Sequence, residues 1–563
     1  MSAALRLGLL TDLYGADVAQ RVAAEVERRL IRRDPPAEAA RGWDERDAWL
    51  IAYPDQFARP GEAPLRTLRT VVEAVFEPWL TGVHVLPFFP WSSDDGFAVT
   101  DPEAVDPRYG TWEDVEALAR GRRLVVDAVL NHLSAGSPWF EAFLAGEPGY
   151  RGFFRTADPT LDHSATVRPR ARPLLTRFTG VDGETWAWTT FSADQVDLDY
   201  RTPEVLLRIL DVLFAYVGHG ADVLRLDAVA FLGKREGTAS IHLPETHAIV
   251  AFLRSCLQAV DPSVLLLTET NVPDAENRSY FGSPGAPEAH LVYQFPLPPL
   301  TLDALLTGDA TRLRTWAAAI PPPPAGATFL NFLASHDGVG LRPAEGFLDA
   351  AGLDRLASVT TRGGGAVGRR ALPDGGDAVY ELNSTWFALM RAGHSKADGL
   401  RRHLAAHAIM LALRGVPALY VHSLVAGDND TAAQSARGLN RRRFADADAF
   451  RRDIGDPSGN AGAAWRRLRE MLEWRAATPA FHPDAAQRII DTPPGVLGVE
   501  RTAPGGAGRA RVYVNVSGER CVVDGPEAGL REVRGGVAGE RLELAPWSSV
   551  WLTGERQLRP GEE

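Results

Sequence analysis

Apolar residues along this 563-residue chain fall into two textures. From Trp49 onward, short uninterrupted apolar runs alternate with longer stretches in which apolar positions recur every three or four residues. Continuous short runs fit strands buried on both faces, and the longer stretches fit helices that cover them. The alternation therefore predicts βα units around a parallel sheet. Eight candidate strands stand at 49–53, 83–86, 124–129, 223–226, 265–268, 291–295, 328–333 and 418–421. Eight is the number that closes a (β/α)8 TIM barrel, an α/β fold.

Departures from the alternation mark the remaining units. Residues 16–33 predict an amphipathic helix, with Val18, Val22, Val26 and Leu30 on one face, ended by Asp34-Pro35-Pro36. Residues 134–200 and 338–397 lack periodicity and predict insertions after the third and seventh strands. The second contains the glycine-rich TRGGGAVGRR, which reads either as a moving loop at the acceptor side or as a disordered excursion. After Thr478-Pro479, runs such as RVYVNV and SSVWL among glycines predict a small antiparallel β domain. The expected division is 1–47 (helical extension), 48–133, 201–337 and 398–480 (barrel), 134–200 and 338–397 (insertions) and 481–563 (β domain).

Composition narrows the function classes. A net charge of -12 argues against nucleic acid or an anionic membrane as partner. No run approaches a membrane span, and the N-terminus lacks the pattern of a signal peptide. Two cysteines far apart, Cys256 and Cys521, exclude a disulfide framework and predict a reducing, cytoplasmic setting.

Candidate chemistry lies where the strands end, because a TIM barrel builds its site at that rim. The second run leads to Asp94 and Asp95, and the third ends Asp127, Asn131, His132. The fourth carries Arg225 and Asp227 on one face, the fifth presents Glu269, and the seventh presents His336 and Asp337. Three carboxylates at one rim suit glycoside chemistry. One attacks the anomeric carbon, a second donates and recovers a proton, and a third stabilises developing positive charge. Arg225 beside Asp227 favours the ionised form that attack requires.

The segments DAVLNH, RLDAV, TETN and SHDG, in this order, resemble the four signature regions of the α-amylase superfamily, glycoside hydrolase family 13. The resemblance implies Asp227 as nucleophile, Glu269 as acid/base and Asp337 as transition-state stabiliser, with His132, Arg225 and His336 around the bound glucose. VHVLPFFPW, DGFAVTDPEAVD, TFSADQVDLD, RLDAVAFLGKREGTAS and ELNSTW are more closely similar to the sucrose phosphorylase branch. That match adds Asp94, Phe97, Phe191, Gln195 and Arg441 to the implied glucose pocket. No metal and no cofactor is expected. The asparagine matching Asn131 holds calcium in many α-amylases, but no acidic cluster here requires one.

A phosphorylase must receive inorganic phosphate as a substrate, for which Arg168, Arg170 and Arg172 in VRPRARP are the candidates. Asn271 and the stretch with Tyr380 and Glu381 depart from the sucrose pattern. With LRPAEG, which contains Arg342, they are more similar to the glucosylglycerate-cleaving members of the branch. Lys234, Arg235, Arg342, Arg362, Arg369 and Arg370 compete as receivers of an acceptor carboxylate. The expected function is reversible phosphorolysis of a small α-glucoside, 2-O-α-glucosyl-D-glycerate before sucrose, by a monomer or homodimer. A hydrolase or transglucosylase on the same scaffold, and a binding protein without turnover, are the alternatives.

Overall fold

The computed structural model describes residues 2–31, 42–170, 172–371, 377–433, 435–506, 508–525, 530–533 and 541–554. At its centre is a closed barrel of eight parallel strands: β1 (Trp49–Ala52), β2 (Gly82–Val85), β3 (Arg123–Val129), β4 (Val223–Asp227), β5 (Leu265–Thr268), β6 (Leu291–Tyr293), β7 (Thr328–Asn331) and β8 (Val416–Tyr420). Each strand neighbours the next in sequence, and β8 closes on β1 through Trp49 opposite Ala418. All eight are buried along their length, which is why the sequence shows runs rather than alternation. Burying each Leu, Val or Ile contributes about 1.5–3 kcal/mol.

The strands sit where the apolar runs predict, with ends shifted by up to two residues. β6 stops at Tyr293, because the chain turns directly into the helix Leu297–Thr307. β7 stops at Asn331, and Phe295 and Phe332 beyond the two strands become walls of the central cavity.

The N-terminal extension holds two helices, α1 (Ala3–Tyr14) and α2 (Ala16–Ile31), the first of which has no amphipathic signal in the sequence. Val22 and Val26 are buried, and Arg29 of α2 bonds Asp211 of the barrel helix Pro203–Gly218. Residues 32–41, with the predicted stop at Asp34-Pro35-Pro36, lie outside the described residues.

The first insertion is folded around its own aromatic cluster. Phe140 packs edge-on against Phe154 at 4.8 Å and Phe178 at 4.7 Å, across the helix Pro138–Leu144 and the hairpin Leu175–Gly180/Gly183–Trp188. The second insertion differs from a loose excursion. Its glycine-rich segment leads from the helix Ala350–Arg362 into a hairpin, Ala366–Ala371 with Asp377–Asn383, to which Val339–Gly340 adds a third strand. In that segment Gly363 and Gly365 are closely packed, whereas Gly364 takes φ +76° with open space around it. At the start of the insertion, Gly338 combines positive φ with close packing. Gly338 has φ +79°, and a Cβ there would stand 2.2 Å from the Leu382 carbonyl oxygen. The C-terminal unit is a five-stranded antiparallel sheet with a two-stranded companion. Among the described residues no helix is long and apolar enough to cross a membrane.

Candidate active site

The barrel register brings the polar residues of the strand ends together. Arg225 pairs across with Asp127, and its guanidinium donates to Asp127 at 2.5 Å and to Asp227 at 2.8 Å. His84 on β2 holds the other Asp127 oxygen at 2.7 Å. Asp127 is thus a fully buried anchor that orients Arg225, and Arg225 in turn orients Asp227. Removing one partner of such a buried ionic set costs about 3–5 kcal/mol.

Glu269 follows β5, whose Thr268 lies opposite Leu226, so it stands beside Asp227 at the ends of adjacent strands. The Glu269 amide donates to the Leu226 carbonyl at 3.1 Å. Ala228 carries φ +49°, a left-handed conformation unusual for alanine, and its N–H donates to Glu269 Oε2 at 3.0 Å. Burial pushes the Glu269 carboxyl up to about 7, with Arg225 opposing and Asp227 and Asp337 adding to the rise. Burial also raises Asp227, but there the Arg225 guanidinium is hydrogen-bonded to the carboxyl and pulls it back. The proton of the pair therefore resides on Glu269 and the charge on Asp227, the division of labour that acid and nucleophile need.

Burial acts to raise Asp337 too, yet His336 and Arg437 hold it well below the usual carboxylate range. Arg437 donates to Asp337 at 2.5 Å, lies 3.2 Å from Asp94 Oδ1 and donates to the Asp94 carbonyl at 2.7 Å. Asp94, despite burial, is likewise held low by Arg437 and Arg170. Phe97 stacks on His336 at 4.8 Å, His132 Nε2 lies 3.1 Å from the Phe97 carbonyl oxygen, and Gln195 donates to Asp94 at 3.1 Å. With Phe191, these groups line a cavity of about 120 Å³ that also contains Asp227, Glu269 and Asp337. A charged, aromatic-walled pocket of this kind suits one sugar ring, with rings facing its C–H surfaces and charged groups its hydroxyls.

Arg441 is the exception among the predicted pocket residues. Its guanidinium stacks 3.6 Å from the Tyr53 ring centroid and pairs with Asp95 at 2.5 Å and Asp55 at 3.3 Å, outside the cavity lining. Arg437, four residues earlier in the same basic run, lines the cavity instead. Sequence reasoning also missed His84 and Tyr293. His84 carries a polar ring within an apolar strand, and that signal was available.

Asn271, Arg170, Tyr380 and Glu381 line the same cavity, the last two delivered by the hairpin of the second insertion. Burial pushes the Glu381 carboxyl up to about 8, and Asp337 adds to the rise. Arg170 donates to both oxygens of Asp94, at 3.1 and 3.2 Å. Beside Glu269 a recess of about 60 Å³ opens, lined by Arg168, Arg342 and Arg370 together with Asn271 and Tyr380. The competing cations separate here. Lys234 is buried, donating to Asn131 at 2.8 Å and lying 3.3 Å from Asp197. Arg235 pairs with Glu245, Arg369 with Asp377, and Arg362 is exposed at a helix end. Among the described residues no cluster of His, Cys, Asp or Glu is placed to hold a metal ion, and at Asn131 the Lys234 ammonium occupies the carbonyl oxygen.

Residues 73–315 match the family model described as "Alpha amylase, catalytic domain". The chain is 44% identical to a glucosylglycerate phosphorylase of Allomeiothermus silvanus, over 91% of this chain and 92% of that protein. It is 38% identical to the glucosylglycerate phosphorylase of Escherichia coli, over 96% and 98%. Among solved structures, sucrose 6F-phosphate phosphorylase from Thermoanaerobacter thermosaccharolyticum superposes with a TM-score of 0.73 at 24% identity, covering 85% of this chain and 96% of that one. At that identity the likeness shows the fold.

Proposed function

The chain belongs to the α-amylase family, glycoside hydrolase family 13, in its sucrose phosphorylase-like branch, and from that premise we propose that it reversibly phosphorolyses 2-O-α-glucosyl-D-glycerate to α-D-glucose 1-phosphate and D-glycerate. The observation that carries the reading is the pair Asp227 and Glu269 on adjacent strand ends, beside a charged, aromatic-walled pocket and an arginine-lined recess. Neighbouring strands lie about 4.8 Å apart. That spacing fits the roughly 5–5.5 Å between carboxyl groups in glycosidases that retain configuration.

Asp227 attacks the anomeric carbon as the bond to glycerate O2 breaks, and Glu269 gives its proton to that oxygen. A β-linked glucosyl-enzyme and free glycerate result. A phosphate oxygen then attacks the same carbon, Glu269 takes the phosphate proton, and Asp227 leaves. Two inversions give net retention. Asp337, held ionised, stabilises the positive charge developing at the sugar ring.

Arg168 in the recess and Arg170 at its boundary with the pocket are the proposed phosphate receivers. Phosphorolysis needs no group beyond these side chains and phosphate itself, so the reading includes no cofactor. It extends to a cytoplasmic monomer or homodimer. Two free cysteines, Cys256 buried and Cys521 partly so, support the reducing compartment.

The test incubates the enzyme with glucosylglycerate, glucosylglycerol, sucrose and sucrose 6′-phosphate, with and without phosphate, and measures glucose 1-phosphate. Phosphate-dependent release from glucosylglycerate is expected. Release from sucrose alone overturns the acceptor, and free glucose regardless of phosphate overturns phosphorolysis.

A further inference from the structure

The recess beside Glu269 carries three guanidinium groups, and the structure distinguishes them. Arg370 is committed, donating to Glu345 at 2.9 Å. Arg168 donates to the Arg172 carbonyl at 3.2 Å on the exposed side of its loop. The Nε atoms of Arg342 and Arg370 are both buried without a partner. Arg342, however, with only 16% of its side chain exposed, makes no side-chain hydrogen bond among the described residues and stands 3.9 Å from the Glu345 oxygen that Arg370 already holds. A buried cation with an unmade donor is unfavourable until an anion arrives.

An unmade acceptor stands in the same recess. Asn271 Oδ1 is buried without a partner, and Asn271 lines both the recess and the sugar pocket. Its place is reserved by Gly340, where a Cβ would stand 2.5 Å from that oxygen. The two unmade groups ask for an anion and a hydroxyl, in a recess that Glu269 also lines. A guanidinium matches a carboxylate two bonds at a time, and an amide oxygen matches a hydroxyl donor.

We propose that Arg342 receives the carboxylate of the acceptor and Asn271 its terminal hydroxyl, so that the recess selects a short 2,3-dihydroxycarboxylate. The inference rests on the phosphorylase reading and assigns the acceptor's functional groups within it. Phosphate is also an anion and enters the same side after glycerate leaves. Arg342 is assigned to the carboxylate, leaving phosphate to the arginines of the 168–170 loop.

The test runs the reaction towards synthesis from glucose 1-phosphate, with D-glycerate, glycerol and D-lactate as acceptors. R342Q is expected to lower kcat/KM for glycerate about 10- to 100-fold more than for glycerol, the worth of one charge-assisted pair. R342K recovers part of the loss, because the charge remains. N271A is expected to narrow the preference for glycerate over lactate about 5- to 10-fold, the worth of one neutral hydrogen bond. An equal fall for glycerate and glycerol in R342Q overturns the assignment, as does a loss that R342K leaves unrelieved. Exchange of labelled phosphate into glucose 1-phosphate without acceptor is the remaining arm. A fall there as large as for glycerate gives the cation to phosphate and overturns the proposal. Wild-type enzyme that exchanges phosphate yet ignores glycerate strikes the substrate reading itself, a result separable from any variant's.

Discussion

Replacing Arg437 with glutamine removes the cation that joins Asp94 to Asp337. Asp94 keeps Arg170, and Asp337 keeps His336 at 3.0 Å. What Asp337 loses is a 2.5 Å guanidinium contact inside the cavity. Breaking a buried ion pair costs about 3–5 kcal/mol, but Asp337 is about a third exposed and solvent screens part of that. A loss of about 2–3 kcal/mol in transition-state stabilisation follows, which is about 30- to 150-fold in kcat/KM. The pH profile carries the sign of the effect. Arg437 lowers the Asp337 and Asp94 carboxyls, so its removal raises both, and each stays ionised only down to a higher pH. Asp227, raised by burial, sets the acid limb of kcat/KM until Asp337 or Asp94 rises past it, so the limb stays or moves upward and never downward. The basic limb set by Glu269 stays, since Arg225 rather than Arg437 is the cation acting on Glu269. Steady-state phosphorolysis from pH 4 to 9 reads both limbs, with a melting curve to establish that the variant is folded. A folded R437Q enzyme with wild-type kcat/KM, or with an acid limb moved downward, would refute the reasoning.

Three further predictions follow from the same geometry. Wild-type kcat/KM should decline above about pH 7 as Glu269 loses its proton, and E269Q should remove that limb while still accepting glucosyl fluoride, whose leaving group needs no acid. D227N should abolish turnover and leave no trapped glucosyl-enzyme in a mass spectrum of the denatured protein, and a surviving adduct would displace Asp227 as nucleophile. His403, His407 and His422 are buried with their proton affinities depressed by burial, His407 to about 4 and His422 to about 3. The unfolded chain binds protons there first, so the stability they contribute is present above about pH 6.5 and is lost as pH falls towards 4. Melting temperatures across pH 4–7 test this, and H403N/H407N should flatten the slope.

Legibility in the sequence followed burial. The barrel strands could be read because both faces are covered, leaving mostly apolar runs in which the few polar positions stand out. Arg225 and Asp227 stood out for that reason, as did Glu269 at the end of LLLTE. Glucose-side residues became nameable through the motif resemblance rather than through pattern. Arg437 and Arg441 show where that gives out. Both lie in ARGLNRRRF, both are cations, and only the three-dimensional path decides that Tyr53 captures one while Asp94 and Asp337 capture the other. The same holds for TRGGGAVGRR, where glycine was read as freedom. The fold uses it for freedom and for contact, with Gly364 at φ +76° in open space and a Cβ at Gly365 meeting the Asn383 carbonyl at 2.7 Å. Among the six acceptor-side cations, one-dimensional distance carries no ranking, because what separates Arg342 from Arg370 is that Glu345 bonds the second and leaves the first without a side-chain hydrogen bond.

The left-handed turn at Ala228 has an evolutionary reading. An alanine held there costs about 1 kcal/mol relative to glycine, which adopts the conformation freely. A228G is thus an accessible route to a more heat-resistant protein. That route also frees the N–H bonded to Glu269 to swing through a wider arc, blurring the aim of the proton donor. Durability and turnover thus pull on this one residue in opposite directions.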